Sequence, residues 1–419
     1  MTIKGFLRIL GPGLLYAGAA VGVSHLVQST RAGANYGFEL LWILIFANAI
    51  KYPFFQFGPR YAAVTGENLM QGYRKIGNWA VIMFAILTIG SMFAVQAAVT
   101  IVTAGLVGNV FGLGLNPVAI SAIILLITMI ALMIGRYAVL DKIIKLVIVL
   151  LAISTITAVI LAMGRGYNPN PEHLRNFRWG FSPDIFFLIA FIGWMPAPID
   201  ITVWHSLWTN AKFKLTGEKP RLRDVLLDFN FGYIGTAFLA VCFLALGAFI
   251  LYGSGDELSP KGGVFAGQLI KMYTDSIGSW AYVLIAIAAI TTMFSTTMTC
   301  LDAFPRVMKP LRLILFPKMS SFSSKLDIES WIWLFITASG ALIIMWKLAD
   351  TMQTMVNIAT TLSFVTAPLL AILNYKVVTG KHMPPEGRPQ QWLRIYSWIG
   401  IVFLSGFTLF YIVYSLTQK

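Results

Sequence analysis

Two ionisable residues lie beside interruptions in long apolar runs, His25 and Asp200. A neutral imidazole can ligate a metal or titrate near neutral pH. A carboxylate in apolar surroundings persists only when it is paired, protonated or bound to a cation. Together the two would supply one nitrogen and one oxygen, with backbone carbonyls completing a shell that suits several divalent ions and selects none sharply. Without a thioether, a harder or partly hydrated ion such as Mg²⁺ or Mn²⁺ fits such a shell. Met195 would add a thioether, although most of the 17 methionines must serve packing. The plainer readings are a hydrogen-bonded packing histidine and a structural salt bridge. His205, five residues after Asp200, is a candidate for a pathway residue, as is Gln96. Asn357 is a candidate amide ligand that can equally bridge helices. In Ser295, Thr296, Thr297 and Thr299 the hydroxyls are read first as bonding the carbonyl one turn back, and secondly as a coupling-ion site. Lys51 is read as snorkelling or pairing with a carboxylate, and both it and Arg60 as structural.

The elements that must hold these residues are membrane spans. Of 419 residues, 58% are hydrophobic and 11% charged, and the mean hydropathy is +0.76. That is too apolar for a soluble domain of this length. Apolar runs of about 20 residues place spans at 8–30, 38–62, 79–108, 117–136, 140–163, 183–210, 225–252, 277–304, 330–348, 352–375 and 393–416. Cys242 and Cys300 lie inside such runs, so no disulfide framework is implied. The net charge of +14 falls in short clusters between spans, such as Arg74/Lys75 and Lys212/Lys214/Lys219/Arg221/Arg223. That pattern reports bilayer orientation and excludes a nucleic-acid surface. It puts the N-terminus in the cytoplasm and the C-terminus outside. The first run has no small-residue cleavage site of the signal-peptide kind.

Spans one and six share a defect. The first is interrupted near Gly18–His25 and the sixth near Gly193–Asp200, where Pro196 and Pro198 remove two helix hydrogen bonds. These spans open two five-helix halves, the position at which broken-helix transporters put a midplane site. The bland alternative is a proline kink and a small-residue packing face. Phosphate-binding glycine loops, HExxH zinc motifs and GxSxG elbows are all absent, so no catalysis is expected.

Ala32-Gly33-Ala34, then Tyr36-Gly37-Phe38-Glu39-Leu40-Leu41-Trp42, followed by Gln56, Arg60, Thr65-Gly66 and Leu69, resemble the end of the first helix and the second helix of the Nramp metal transporters. Met195-Pro196 and His205-Ser206 are similar to that family's sixth-helix elements. The resemblance implies an all-α membrane protein with a LeuT-type inverted repeat of 5+5 helices plus an eleventh helix. The expected bounds are about 8–163, 183–375 and 393–416. It further implies divalent-metal transport, driven by protons in typical members. The departures fall on the chemistry. The family's Asp-Pro-Gly-Asn aligns with Gly22-Val23-Ser24-His25, so Gly22 replaces the anionic ligand and His25 the amide. Anchoring span six on Met195-Pro196 keeps the thioether and turns the family histidine into Ala197. Anchoring it on His205-Ser206 instead puts Pro198 and Asp200 at those places. The third-helix acids fall near Gln96 and Val99, and the middle of span nine lacks the family's paired arginines.

The expectation is therefore a secondary-active or facilitative transporter of a divalent cation (Mn, Mg or similar) in the inner membrane, with weak or absent proton coupling. A small organic solute on the same fold is the alternative. The site candidates are Gly22, His25, Met195, Asp200 and Asn357, with Gln96 and His205 along the pathway. No cofactor is expected. The partners are membrane lipid and the small cation carried as substrate, and the oligomeric state is left open.

Overall fold

The computed structural model describes residues 9–134, 137–164, 166–167, 169–217, 221–318, 328–348 and 351–417. Several orientation charges, including Lys4, Arg8, Arg136, Arg165, Lys219, Lys325 and Lys419, lie outside those residues. Fifteen α-helices run α1 Pro12–Ala20, α2 Thr30–Tyr36, α3 Leu41–Thr65, α4 Leu69–Ile76, α5 Asn78–Val110, α6 Pro117–Ile134, α7 Tyr137–Gly164, α8 Ser182–Gly193, α9 Ile201–Thr216, α10 Leu222–Ile250, α11 Gly262–Ile277, α12 Tyr282–Leu315, α13 Ile328–Leu348, α14 Met352–Thr379 and α15 Gln391–Thr417. No β-strand occurs among the described residues.

Each of the eleven apolar segments holds a helix or a broken helix pair. Seven of the helical stretches among the described residues are long and apolar enough to cross a membrane unaided. The second span, α3, falls short on hydropathy because it carries Asn48, Lys51, Gln56 and Arg60. The first and sixth are divided. Large side chains such as Trp346, Ile134 and Leu126 stay exposed on the outer helices, as expected of surfaces that meet lipid.

Prolines inside a spanning helix orphan the carbonyl four residues back. In α3 both orphans are met by side chains from distant helices. Pro53 frees the Ala49 carbonyl, which accepts from the Tyr396 hydroxyl of α15 at 2.5 Å. Pro59 frees the Phe55 carbonyl, which accepts from the Thr202 hydroxyl of α9 at 3.2 Å. The same hydroxyl accepts from the Gly58 amide at 3.1 Å. Only glycine allows this approach, because a Cβ at position 58 would stand 2.2 Å from the Thr202 carbonyl.

The fold is also tied at its outer ends. Asp228 of α10 accepts from the Gly11 and Gly13 amides at 2.9 and 2.7 Å, capping α1 with a carboxylate where its dipole favours one. Buried Asp184 accepts from Arg175 at 2.6 Å and from the Tyr36 hydroxyl at 3.0 Å, which joins the loop before α8 to α2.

Candidate functional site

The break in span six covers residues 194–200, between the end of α8 at Gly193 and the start of α9 at Ile201. Each dipole end carries the matching charge. The Lys51 ammonium, fully buried, donates to the Ile192 and Gly193 carbonyls at 2.6 and 2.9 Å, at the negative end of α8. Asp200 occupies the N-cap position of α9, the positive end, where a carboxylate is favoured. Lys51 thus neither snorkels nor pairs with an acid. Its role is to supply donors to the last carbonyls of α8, where the helix ends at the break.

Span one breaks over fewer residues than expected. Helix α1 ends at Ala20, and the chain re-enters helix through a widened π-helical turn, Ser24–Ser29, that runs into α2. Ser24 stands where the two breaks approach each other, its hydroxyl lying 3.2 Å from the Pro196 carbonyl and 2.9 Å from Ala20's. Between the breaks is a cavity of about 20 Å³ lined by Ala20, Ser24, Trp194, Ala197, Thr296 and Cys300, among others. Gly22 faces Thr296 of α12 so closely that a Cβ would stand 2.8 Å from its methyl carbon.

Asp200 opens into a different cleft, of about 10 Å³, with room for roughly one water-sized body. Thr88 and Ser91 of α5 and Ser363 and Thr366 of α14 line it together with Pro198. Two of its oxygens, Asp200 Oδ1 and Thr88 Oγ1, are buried without a hydrogen-bond partner. Ser363 is fixed by the Trp194 indole, which donates to its hydroxyl at 2.7 Å.

His25 and Asp200 are not brought together. The His25 Nε2 lies 3.0 Å from the Thr236 carbonyl and its Nδ1 lies 2.8 Å from the Ser24 hydroxyl. A carbonyl only accepts, so Nε2 carries the hydrogen, and in the neutral ring Nδ1 accepts from Ser24. Both nitrogens are committed, and neither offers a lone pair to a cation in this arrangement. Met195 packs with Ile192, Phe191 and Phe364 in an apolar cluster away from both clefts. Asn357 is half-buried on α14 and lines neither cleft. Gln96 reaches from α5 to α12, its amide donating to Thr100 at 3.1 Å and to the Thr297 carbonyl at 3.4 Å. His205 stacks on Tyr16 with centroids 5.7 Å apart, and both its ring nitrogens are buried without partners. Among the described residues no three His, Cys, Asp or Glu side chains cluster as a metal cage. Thr88 and Ser24 were not among the sequence candidates. A lone hydroxyl in an apolar run carries no local signal of what it faces across helices.

Two interrupted helices whose unwound segments meet at the centre of an α-helical bundle define a secondary transporter of the broken-helix class. The chain belongs to the Nramp family, described as natural resistance-associated macrophage protein-like, which matches residues 13–414 and is a family of transporters, not enzymes. An uncharacterized protein of Pasteurella multocida is 38% identical over 408 residues, 96% of this chain and 91% of its own length. The divalent metal cation transporter MntH of Vibrio campbellii is 22% identical, covering 96% of this chain and 90% of its own. Among solved structures, the Eremococcus coleocola manganese transporter superposes with a TM-score of 0.71 at 14% identity, over 98% of this chain and 87% of that one. MhsT in complex with L-phenylalanine superposes with 0.61 at 14% identity, over 96% and 98%. The fold is the all-α LeuT type, as the broken spans and the second-helix residues predict.

Proposed function

We propose that this protein carries a divalent metal cation across the membrane, with Asp200 as the charged ligand of a site built from oxygen. The observation that carries this reading is the pair of unpartnered, buried oxygens, Asp200 Oδ1 and Thr88 Oγ1, lining one cleft at the span-six break. Leaving such atoms unmet costs about 1–3 kcal/mol each, more for a charge, and a cation meets both. Family membership and the relatives named as divalent metal cation transporters support the same cargo class. Carboxylate, hydroxyl and carbonyl oxygens suit Mg²⁺ or Mn²⁺ better than softer ions. Proton coupling is weak or absent in this reading, because α5 contains no ionisable residue from Asn78 to Val110 and a relay needs such groups at contact spacing. The charge clusters support an inner-membrane protein with its N-terminus cytoplasmic.

A small organic solute is the second reading. Its support is chemical: the lining of the central cavity by Trp194, Trp204, Val95, Val99 and alanines contains no carboxylate, and at about 20 Å³ the cavity would have to widen to admit such a solute. Uptake into proteoliposomes separates the two. Mn²⁺ and Mg²⁺ should accumulate, and Asp200→Asn should slow them by about tenfold or more, equivalent to about 1.4 kcal/mol. If neither ion moves while an amino acid or another metabolite does, the metal reading is wrong.

A further inference from the structure

A hollow of about 450 Å³ opens between α3, α10 and α15, away from both breaks. That volume lies within the range of about 300–1,000 Å³ typical of small-molecule sites. It faces the bilayer, because Ile45, Ile234 and Phe238, which line it, are exposed on membrane-spanning helices. Its lining is polar at one end. The antiparallel run of α3 and α10 sets Tyr52 beside Asn230, whose Oδ1 accepts from the Tyr52 hydroxyl at 2.7 Å. One turn along, the Tyr233 hydroxyl donates to the Asn48 carbonyl at 2.6 Å. Beyond these groups Leu44, Ile45, Phe238 and Val241 continue the lining as an apolar slot. Two polar atoms at the first end are unmet. The Asn48 amide folds back on its own helix, its Nδ2 donating to the Leu44 carbonyl at 2.8 Å, which leaves Oδ1 buried without a partner. Asn230 engages only its Oδ1, and its Nδ2 donates to nothing among the described residues. One atom calls for a donor and the other for an acceptor, and lipid hydrocarbon supplies neither.

We propose that this slot binds one acyl chain of an uncharged glycerol ester lipid, with the head of the lipid at Asn48 and Asn230. A glycerol hydroxyl donates to Asn48 Oδ1, and the ester carbonyl accepts from Asn230 Nδ2. No charged side chain lines the hollow, so a phosphate head would find no counter-charge there, whereas a neutral one needs none. The length fits a chain. From Asn230 to Val241, α10 rises about 16 Å at about 1.5 Å per residue. One leaflet contributes roughly 15 Å to a hydrocarbon core about 30 Å thick. The two helices that the lipid bridges give the site a function. Lys51 on α3 holds the last carbonyls of α8, and the Thr236 carbonyl on α10 holds His25. An occupant that braces α3 against α10 therefore stabilises the arrangement of both breaks. The site does not depend on whether the cargo is a metal or an organic solute.

The test is thermal unfolding of the purified full-length protein in nanodiscs of a saturated phosphatidylcholine. The discs are doped either with 1-monooleoylglycerol or with 8-heptadecene, which has the same hydrocarbon tail and no head. Monooleoylglycerol should raise the midpoint in a saturable way and the hydrocarbon should not. Ala237→Trp puts an indole into the slot without removing a side-chain hydrogen bond, and it should abolish the response. Asn230→Leu should raise the half-saturating lipid fraction by about tenfold, as expected for one lost polar contact. Asp200→Asn should keep the wild-type response, which separates this slot from the metal cleft. Equal stabilisation by the two additives, or a full response in Ala237→Trp, would overturn the proposal. So would a wild-type dimer that Ala237→Trp converts to a monomer, because the occupant would then be a second copy of the chain. If Ala237→Trp does not fold, an unchanged half-saturation in Asn230→Leu overturns the proposal by itself.

Discussion

Thr202→Val tests whether α9, and with it Asp200 two residues before, is held in place by the carbonyl that Pro59 orphans. Valine keeps the shape of threonine and leaves no cavity. What disappears is the donor to the Phe55 carbonyl at 3.2 Å and the acceptor facing the Gly58 amide at 3.1 Å. The carbonyl has no helical amide to fall back on, because residue 59 is proline. A buried acceptor left unmet costs about 1–3 kcal/mol. Pro59→Ala restores the missing amide, so in that background the hydroxyl is redundant and Thr202→Val should cost no more than a few tenths of a kcal/mol. The double-mutant cycle should therefore show a coupling of about 1–2 kcal/mol, measured as denaturant or thermal unfolding in detergent. Strictly additive single and double variants would refute the argument that a proline in span two and a threonine in span six form one unit.

Gly193→Ala should prevent close packing of α8 on α14, since its Cβ would stand 2.2 Å from the Thr360 carbonyl. Loss of folded yield, or of uptake in any folded fraction, checks this. His25→Asn removes a ring whose nitrogens are both committed, so stability should fall by about 1–3 kcal/mol while the ratio of Mn²⁺ to Mg²⁺ affinity stays unchanged in a binding titration. Glu67, in the loop before α4, is raised by burial, but hydrogen bonds from Lys75 at 2.5 Å and the Tyr61 hydroxyl at 2.7 Å outweigh that and hold it below its ordinary range. A depressed carboxylate stabilises above its unfolded value and loses that contribution as pH falls through its folded one. Melting temperature should accordingly drop as pH goes below about 4, and Glu67→Gln should flatten that limb.

The spans, the two breaks and the family were legible because hydropathy, proline placement and the second-helix residues are local properties of the chain. Asp200 was legible for the same reason, being a charge beside a double-proline interruption. What each side chain faces was not. His25 is a free ligand on paper, but its nitrogens are taken by its neighbour Ser24 and by Thr236, 211 residues away. Met195 adjoins the prolines in sequence and turns into a separate apolar cluster. Lys51 looked like a snorkelling or acid-paired lysine. Its real partners are the carbonyls of Ile192 and Gly193, and carbonyls have no sequence signature. Thr88 is one of four hydroxyls in a 33-residue apolar helix, and only the packing of α5 on α14 beside the span-six break gives it meaning.

The central claim is that the cargo is a hard divalent cation held by oxygen at Asp200. Titrating purified wild-type, Asp200→Asn and Thr88→Val proteins with Mg²⁺ and Mn²⁺ by calorimetry tests it most directly. Saturable binding that Asp200→Asn abolishes and Thr88→Val weakens by about tenfold is the predicted result. Binding to Asp200→Asn with wild-type affinity would contradict it.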